Sequence, residues 1–588
     1  MKRFSLVTWW VVLLVVAGCS KGDDDDSPNP SAGNGVAAVG GGGAAANGGT
    51  TAPGGVGGNV APGGGAGGAS GGAGGATAGA GGNAPGGAGG NGGAGGAPEG
   101  GAGGTTPPPP SSGASVLQYH KNSNRDGLYV DAAFTRTAAA GLKKAYSVAI
   151  AGPTYAQPLF VENGAMGKDI VIVATERNEV SALDAADGAV VWRKTLGAPA
   201  TSTGCFLSNI NPLGITGTPV VDLATKRLFL NAVTSTGGFK HQIFALSLED
   251  GSTVAGWPVD VAAKVKAGSL EFEADIHNQR GALIILDGKV YVPYGGHFGD
   301  CGNYHGWVVG VPIDNPAAPI AWATRARAGG IWAPGGIASD GTSLFVATGN
   351  TMEENSPMLF SAPTMWGHGE SIIKLPPSLQ FSDKDTDFAS AMNWSSLDTA
   401  DLDIGGCGPV LLNVPGATPS SLVLGLGKDS KAYLANTQNL GGMGKWVLSK
   451  TISSQQLITA AVAYNTPTGS FFAFKGMGSG CPGGMSGQIT AVKVGAASPP
   501  TMDVTWCAGS AGDGSAIVTS TDGTAETIVW HVASDRKLRG FNGETGAVIF
   551  SGGGAMEQMG TVNKFQTPIA AKGKIFVAAG SELFAFTL

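Results

Sequence analysis

The stretch DIVIVATERNEVSALDAADGAVVW, residues 169–192, contains the clearest structural pattern of the chain. Two runs of apolar and β-branched residues are separated by a polar turn. An Asp187-Gly188 turn and a last run ending on Trp192 follow. Asp-Gly is favoured in tight hairpin turns, because these residues tolerate positive φ. The stretch therefore predicts three antiparallel strands, and a further apolar run, QPLFV from Gln157, precedes them.

The central run of this unit recurs along the chain. Its eight copies are DIVIVAT from Asp169, RLFLNAV from Arg227, KVYVPYG from Lys289, SLFVATG from Ser343, SLVLGLG from Ser421, SFFAFKG from Ser470, TIVWHVA from Thr527 and KIFVAAG from Lys574. The last strand of seven units ends on an aromatic residue, namely Trp192, Trp257, Trp322, Trp394, Trp446, Trp506 and Phe550. Four strands repeated roughly every fifty to sixty residues are typical of propeller blades. We therefore predict an all-β fold, an eight-bladed β-propeller, in residues 114–588, with the aromatic residues packed between neighbouring blades.

The eighth unit ends at its third strand, Leu583-Phe584-Ala585-Phe586, so its outer strand has to come from elsewhere. The run Ala145-Tyr146-Ser147-Val148 is a suitable strand near the start of the repeats. Pairing the two would close the ring and remove an exposed strand edge.

Several motifs connect these repeats with a known family. ALDAADGAVVW from Ala182 is similar to the repeat of pyrroloquinoline-quinone (PQQ) propellers, in which a small residue, an Asp, a Gly and a Trp recur. GITGTPVVD, HFGDCGNYHGWVVG, GGIWAPGG and VATGN resemble, in order, exported quinoprotein-like proteins. The resemblance covers nearly all of the chain beyond residue 117. It implies the quinoprotein-like propeller, but less about chemistry, since propellers host many functions.

The first residues predict export and lipid anchoring. Lys2 and Arg3 precede a short apolar run, which is typical of a signal peptide, here residues 1–18. Its end, Val16-Ala17-Gly18-Cys19, resembles a lipobox, which implies that the Cys19 thiol receives a lipid. We expect a cell-envelope protein attached to a membrane, by the lipoprotein sorting pattern the outer one, facing the periplasm or the surface.

Residues 19–113 form the predicted linker. They are rich in Gly, Ala and Pro, with too little apolar side chain to offset the entropy of ordering the backbone. A disordered tether of this length has a root-mean-square span of roughly 50 Å. The net charge of −7 and the lack of a basic tract argue against nucleic acid as a partner. We expect a monomer.

One face of the predicted propeller carries the long loops, and we expect function there. The residues just before the innermost strands should surround the central channel. They are Gln157, Thr218, Arg280, Trp332, Thr459, Ser515, Lys564 and Gln566. Two cations with amides, hydroxyls and a tryptophan suit an acidic or quinone-like ligand. The alternative is that these residues only line a water-filled channel.

The segment HFGDCGNYHGW, residues 297–307, brings His297, Asp300, His305 and Trp307 into one loop of this face. A metal site is one interpretation. However, no regular spacing makes the two imidazoles converge, and Cys301 of an exported protein is expected to be oxidised. The other interpretation is a loop that is held to its face of the propeller by a disulfide, with Trp307 packed beneath it.

Five cysteines follow Cys19, enough for two disulfides and one free thiol. Cys481 and Cys507 flank the third and fourth strands of one blade, and Cys205 and Cys301 lie in neighbouring loops. We predict these two pairs and a buried free thiol at Cys407, although the sequence alone does not fix the connectivity.

Two functions remain open. The first is a module that binds an envelope protein, a glycan or a small molecule on the loop face. The alternative is a PQQ- and Ca²⁺-dependent dehydrogenase of alcohols or sugars, in which Trp332 lies under the quinone and Arg280 or Lys564 contacts it. Residues available for a metal or a substrate would be Glu176, Asn178, Glu353 and Asp535. The sequence lacks the adjacent Cys-Cys pair of quinoprotein alcohol dehydrogenases and any Cys-x-x-Cys-His haem site.

Overall fold

The computed structural model describes residues 113–205, 209–356 and 360–588. Cys19, the signal peptide and the linker up to residue 112 lie outside the described residues. Strands dominate the described part, and they form eight sheets of at least four strands each. The predicted all-β, eight-bladed propeller is confirmed.

The blades follow one another along the chain, and each is an antiparallel sheet. Blade 1 contains Leu159–Ala165, Lys168–Ala174, Glu179–Asp184 and Val190–Thr195. Blade 2 contains Val220–Asp222, Arg227–Thr234, Lys240–Ser247 and Val259–Asp260. Blade 3 contains Ile284–Leu286, Lys289–Gly296, Trp307–Pro312 and Ile320–Ala323. Blade 4 contains Ala338–Ser339, Leu344–Thr348, Ser371–Leu375 and Phe388–Ser390.

The second half of the ring repeats this arrangement. Blade 5 contains Val410–Asn413, Ser421–Leu426, Lys431–Asn436 and Leu448–Thr451. Blade 6 contains Val462–Thr466, Gly469–Lys475, Ile489–Gly495 and Thr501–Ala508. Blade 7 contains Ile517–Ser520, Ile528–Val532, Leu538–Asn542 and Val548–Phe550. Blade 8 contains Ile569–Ala571, Lys574–Ala579 and Glu582–Thr587 from the end of the chain.

The outer strand of blade 8 comes from the start of the propeller, as predicted. Lys143–Ala149 pairs antiparallel with Glu582–Thr587, and Tyr146 lies opposite Ala585. The ring is thus closed by hydrogen bonds between its two ends, which leaves no free sheet edge at the junction.

Short elements complete the described part. His277–Asn278 pairs with the end of the second strand of blade 3, and Gly442–Met443 extends blade 4. Two small ladders join Lys266–Ala267 to Leu270–Glu271 and Arg327–Ala328 to Thr351–Met352. The helices are Arg136–Ala139, Val261–Lys264 and Trp394–Ala400, with 3₁₀ turns at Ala274–Ile276, Asp385–Asp387, Ile404–Gly406, Pro482–Gly484 and Ala555–Glu557. None of the described helices is long and apolar enough to cross a membrane.

The repeated aromatic residues join neighbouring blades, but not all of them lie in strands. Trp192 of blade 1 donates its indole N–H to Leu248 O of blade 2 (2.8 Å), and Trp506 of blade 6 donates to Gly543 O of blade 7 (2.9 Å). The fourth strands of blades 2 and 5 do not end on Trp257 and Trp446, as predicted, because both residues come before the strands Val259–Asp260 and Leu448–Thr451. The prediction of a fourth strand ending on Trp394 is also wrong, because this residue begins a helix. The polar sequence after it, SSLDTAD, lacks the alternation of apolar and polar residues that a strand needs.

The centre of the ring is occupied by the chain itself. The axial segment, residues 114–131, runs around the inside of the propeller and contacts one blade after another. Its backbone or side-chain atoms bond to Phe160 of blade 1, Val221 of blade 2, Leu283 beside blade 3, Ser339 of blade 4, Leu411 of blade 5, Ala463 of blade 6, Val518 of blade 7 and Gly573 of blade 8. Within it, Leu128–Val130 forms a parallel ladder with Ile517–Ser520.

The axial segment is anchored by a buried arginine. Arg125 is about 1% exposed, and its guanidinium donates to Ile337 O (2.8 Å), Leu283 O (2.8 Å) and Tyr119 O (2.7 Å). Backbone N–H groups on the inner edges of the blades also need partners, and the axial segment supplies them. The segment therefore belongs to the fold and fills the predicted channel on the side away from the long loops.

Candidate functional site

The loop face is held together by covalent links. The structure contains both predicted disulfides, Cys205–Cys301 and Cys481–Cys507, and among the described cysteines Cys407 is free and buried. Cys205 lies in the loop before blade 2 and Cys301 in a loop of blade 3, which places these two loop types on one face. Burial raises the pKa of the Cys407 thiol, so it stays protonated.

Three of the candidate channel residues are sealed inside the fold. Gln157 accepts from the His120 N–H (3.1 Å) of the axial segment, and its own N–H donates to Thr218 Oγ1 (2.9 Å). The Gln566 amide donates to Thr154 and Ala578, and its Oε1 accepts from Asn563 N–H. All three are nearly fully buried. Ser515 is similarly committed, since its hydroxyl accepts from Ala460 N–H. These side chains support the ring and do not face an open channel.

Arg280 and Trp332 are brought together at the centre of the loop face. The Arg280 guanidinium carbon lies 5.5 Å from the ring centroid of Trp332 and 5.5 Å from that of Phe565. The side chains of Arg280 and Trp332 are half-buried. Arg280 forms neither an ion pair nor a hydrogen bond with any residue in the described part of the chain, and its Nε is buried without a partner. Burial lowers its pKa. A guanidinium with unused donors next to aromatic rings is suited to bind an anion.

Lys564 lies at the edge of this centre and is exposed. Its ammonium is 3.8 Å from Asp513 Oδ2, while Lys475 contacts the other oxygen of Asp513 at 2.7 Å. The two lysines share one carboxylate, so Asp513 compensates the charge of Lys564 only in part, and the exposed ammonium is available to another anion.

A set of charged residues that the sequence pattern did not reveal also lies next to Trp332. The Lys428 ammonium is 5.4 Å from the Trp332 ring centroid and contacts Asp401 Oδ1 (2.7 Å) and Asp403 Oδ2 (2.6 Å). Burial lowers the pKa of Lys428, but Asp403 and Asp401 outweigh burial and hold it above its usual value. The spacing Asp401-x-Asp403 before an innermost strand was the available signal, and its lysine partner is distant in sequence.

Two further carboxyl groups complete the carboxylate cluster, defined as Glu370, Asp398, Asp401 and Asp403. Burial raises the pKa of Glu370 well above its usual value and that of Asp398 to about 7, with nearby Asp403 adding to both shifts. Asp398 accepts from the Thr351 N–H and hydroxyl, both at 2.8 Å. Glu370 accepts from the Ile404 N–H at 2.7 Å. The surroundings of Glu370 and Asp398 therefore favour the protonated form of each carboxyl group.

The loop of residues 297–307, which contains the predicted imidazoles, packs against the rest of the fold. Trp307 is fully buried and contacts His277 and Phe272 edge-on. His305 Nδ1 is 3.0 Å from Thr324 O. Burial lowers the pKa of His297 to about 3, so this imidazole is neutral.

Asp300 is the fourth predicted residue of this loop, and it accepts from the Tyr304 hydroxyl at 2.5 Å. In the described part of the chain, no group of three or more His, Cys, Asp or Glu side chains is arranged to hold a metal ion.

The residues proposed for a quinone and its Ca²⁺ do not form such a site. Asp535 is paired with Arg539, Glu353 accepts from Ser361, and Glu176 accepts from Gly214 N–H with its pKa raised to about 7 by burial. The Asn178 amide donates to Val233 O. Arg280 and Lys428 are two cations that lie next to Trp332, and oxygens of Asp401 and Asp403 form ion pairs with Lys428. Ca²⁺ needs several available oxygens. Glu176 Oε1 and Asn178 Oδ1 are buried without a partner, but two oxygens are too few, and no group of three or more acidic side chains in the described part adds to them, so these residues do not fit the cofactor.

The comparisons agree with this fold. The family model described as outer membrane protein assembly factor BamB (PQQ_2) matches residues 152–298. The chain is similar to the quinohemoprotein alcohol dehydrogenase ADHIIG from Pseudomonas putida HK5 (12% identity, 81% of this chain and 80% of that chain, TM-score 0.54). It is also similar to a europium-containing methanol dehydrogenase (12% identity, 81% and 98%, TM-score 0.54). No curated protein sequence gives a significant match. The chain is thus similar to PQQ-like propellers over residues 152–298, and at these identities the structural likeness concerns the fold alone.

Proposed function

We propose that the protein is a ligand-binding module of the bacterial cell envelope, held by a lipid on Cys19, whose loop-face centre binds an acidic ligand. The observation that carries the proposal is the half-buried Arg280 guanidinium, which faces Trp332 and Phe565 and forms no ion pair or hydrogen bond with a described residue, since Asp300 acts on it only at a distance. A partly desolvated charge without a partner is costly, and a bound carboxylate would satisfy it.

The location in the envelope is supported by three features. The lipobox-like Val16-Ala17-Gly18-Cys19 implies an anchor, and two disulfides fit an oxidising compartment. The family model that matches residues 152–298 is described as an outer membrane protein assembly factor. We propose the outer membrane as the site of attachment.

The shape of the centre favours a flat, acidic ligand. The half-buried Trp332 offers an aromatic face beside Arg280, Phe565 packs against Arg280 from a buried position, and Lys564 adds a second cation at the edge. An acidic sugar, an aromatic carboxylate or a carboxylate at the end of a peptide has the required charge. The axial segment fills the ring below, so such a ligand enters from the loop face.

The experiment is a calorimetric titration of the full chain with benzene-1,3,5-tricarboxylate, a polyuronate oligomer and PQQ, the last with and without Ca²⁺. We expect at least one acid to bind, and Arg280→Met to weaken it about tenfold to a hundredfold, since a charge-assisted hydrogen bond contributes about 1.5–3 kcal/mol. Arg193→Met, at an exposed ion pair with Glu179, is the matched control. Binding that Arg280→Met leaves unchanged would refute the site.

The same titration tests the dehydrogenase alternative, which the structural neighbours suggest by their names. We expect PQQ to bind as any other aromatic polyacid does. Its binding should not depend on Ca²⁺, and no dye should be reduced with alcohols or sugars. Ca²⁺-dependent PQQ binding with dye reduction would establish the enzyme instead.

A further inference from the structure

Asp300 is an acidic side chain beside the loop-face centre, and one of its oxygens is unused. Its Oδ1 accepts from the Tyr304 hydroxyl at 2.5 Å, whereas its Oδ2 forms neither a hydrogen bond nor an ion pair with any described residue. Burial raises the pKa of this carboxyl group, and the Tyr304 hydroxyl opposes that shift. The ionised form of Asp300 therefore has no cation in direct contact to compensate its charge.

Arg280 and Trp332 lie beside one end of a strand in blade 3. His277–Asn278 pairs with Gly296 and Gly295 at the end of that strand, and Arg280 follows two residues later. A Cβ at Gly295 would lie 3.3 Å from Trp332 Cβ, so the tryptophan packs directly on this glycine. The same strand end thus positions the cation and the aromatic ring of the loop-face centre.

Tyr304 brings Asp300 to the same strand end. A Cβ at Gly296 would come within 2.5 Å of the Tyr304 ring, and one at Gly330 would lie 3.4 Å from it. Asp300 is bonded to that tyrosine. Burial lowers the pKa of Arg280, and the charge of Asp300 is among those that oppose this shift. The guanidinium and the carboxylate are therefore close enough to act on each other, but they are not in contact.

We propose that the acidic ligand of the loop-face centre also carries an ammonium group, which binds Asp300 while the carboxylate of the ligand binds Arg280. This inference rests on the proposed function and narrows its ligand class to aminocarboxylic acids. A ligand with both charges gives each side chain a partner, whereas a plain acid would satisfy Arg280 and be repelled by Asp300. The pair of charges on the protein thus selects the zwitterion.

Asp300 suits this role because other acidic side chains near the centre already have cations. Asp401 and Asp403 contact Lys428 at 2.7 and 2.6 Å, and Asp513 is shared by two lysines. Of these four acids, Asp300 alone has no ion pair. An incoming ammonium would have to compete with a lysine at the other three, but not at Asp300.

The test compares two probes of similar shape that differ in charge, 3-(aminomethyl)benzoate and 3-(hydroxymethyl)benzoate, by calorimetric titration of the full chain. Both have a carboxylate for Arg280 and a flat ring for Trp332, and their 4-isomers are titrated in parallel to span a wider gap. We expect the wild-type chain to bind the ammonium probe of at least one pair tenfold more tightly or better, since the added ion pair is a charge-assisted hydrogen bond.

Asp300→Asn should reduce this preference to less than twofold, because it removes the charge. Asparagine keeps an acceptor for the Tyr304 hydroxyl and tolerates the φ of 50° at this position. Arg280→Met should weaken the binding of both probes. The matched control is Asp535→Asn, because Asp535 lies in a loop of the same face and is already paired with Arg539. It should keep the wild-type preference.

The comparison of probes on the wild-type chain needs no variant. Circular dichroism checks the folding of each variant, and Asp300→Ser replaces Asp300→Asn if the latter does not fold. Two results would overturn the inference. One is a wild-type chain that binds the paired probes equally or binds none of them. The other is a folded Asp300→Asn or Asp300→Ser chain that keeps the preference for ammonium.

The same titration separates this inference from the proposed function. If benzene-1,3,5-tricarboxylate binds in a manner that depends on Arg280 but the ammonium probes have no advantage, the acid site stands and only the role of Asp300 is refuted. If no acid binds at all, both are refuted.

Discussion

Two arginines near the axis of the ring have opposite surroundings. Arg125, in the axial segment, is about 1% exposed, and its donors bond to three backbone carbonyls and to Gln118 Oε1. Arg280, at the centre of the loop face, is half-buried between aromatic rings and has no hydrogen bond to any described residue. Arg125 acts as part of the fold, whereas Arg280 has donors to spare. The ring thus has a sealed side and an open side.

The sealed side should show the largest effect on stability. Arg125→Met removes the guanidinium and leaves buried carbonyls without donors, so we expect a loss of about 3–5 kcal/mol in the free energy of unfolding. Arg280→Met should change it by about 1 kcal/mol or less, since only cation–π contacts are lost. Urea unfolding of both variants makes the comparison. Similar losses for the two would contradict the division into two sides.

Lys564 and Gln566, which lie two residues apart just before blade 8, allow the same comparison between an exposed and a buried side chain. Gln566→Leu removes an amide that bonds to Thr154 and Ala578, and we expect it to cost about 1–3 kcal/mol. Lys564→Met lies at the surface and should stay within about 0.5 kcal/mol of the wild type. In the acid-binding titration the order of the two effects should reverse. Lys564→Met should weaken binding several-fold, which is more than the effect of Gln566→Leu. A stability loss at Lys564 as large as at Gln566 would count against this assignment.

The carboxylate cluster gives a pH-dependent prediction. The folded pKa of Glu370 lies well above the unfolded value, so its contribution to stability is complete below about pH 4.5 and is lost as the pH rises towards the folded pKa. Glu370→Gln keeps the shape and removes this loss. On going from pH 7 to pH 8 we expect the variant to gain stability relative to the wild type, at a slope of at most about 1.4 kcal/mol per pH unit. Denaturant unfolding at both values measures it, with Glu353→Gln, an exposed carboxylate, as control. A parallel pH dependence of Glu370→Gln and wild type would show that Glu370 is ionised.

The repeats were predictable because they depend on local patterns. β-Branched runs, Asp-Gly turns and periodic tryptophans gave eight blades, and the missing outer strand of blade 8 located Lys143–Ala149. The two disulfides also followed, since the cysteines fall in loops that the propeller brings to one face or in strands of one blade.

The axial segment was not predictable in the same way. Its residues, such as HKNSNRDG from His120, have no strand periodicity, and they are ordered by N–H groups on seven different blades and by a carbonyl beside blade 3. The sequence pattern placed Gln157 and Arg280 in the same register, but it did not show that the axial segment covers only one of them. Lys428 was missed because its partners, Asp401 and Asp403, belong to a different loop and meet it only across the fold.

Hydrogen–deuterium exchange of the full chain, with and without a bound acid, tests directly whether the ring is sealed by the axial segment and binds its ligand on the loop face. We predict slow exchange throughout the axial segment in both states, and added protection around Arg280, Trp332 and Phe565 when the acid is bound. Protection that appears instead within residues 114–131, or rapid exchange there in the free chain, would contradict a sealed ring with its ligand site on the loop face.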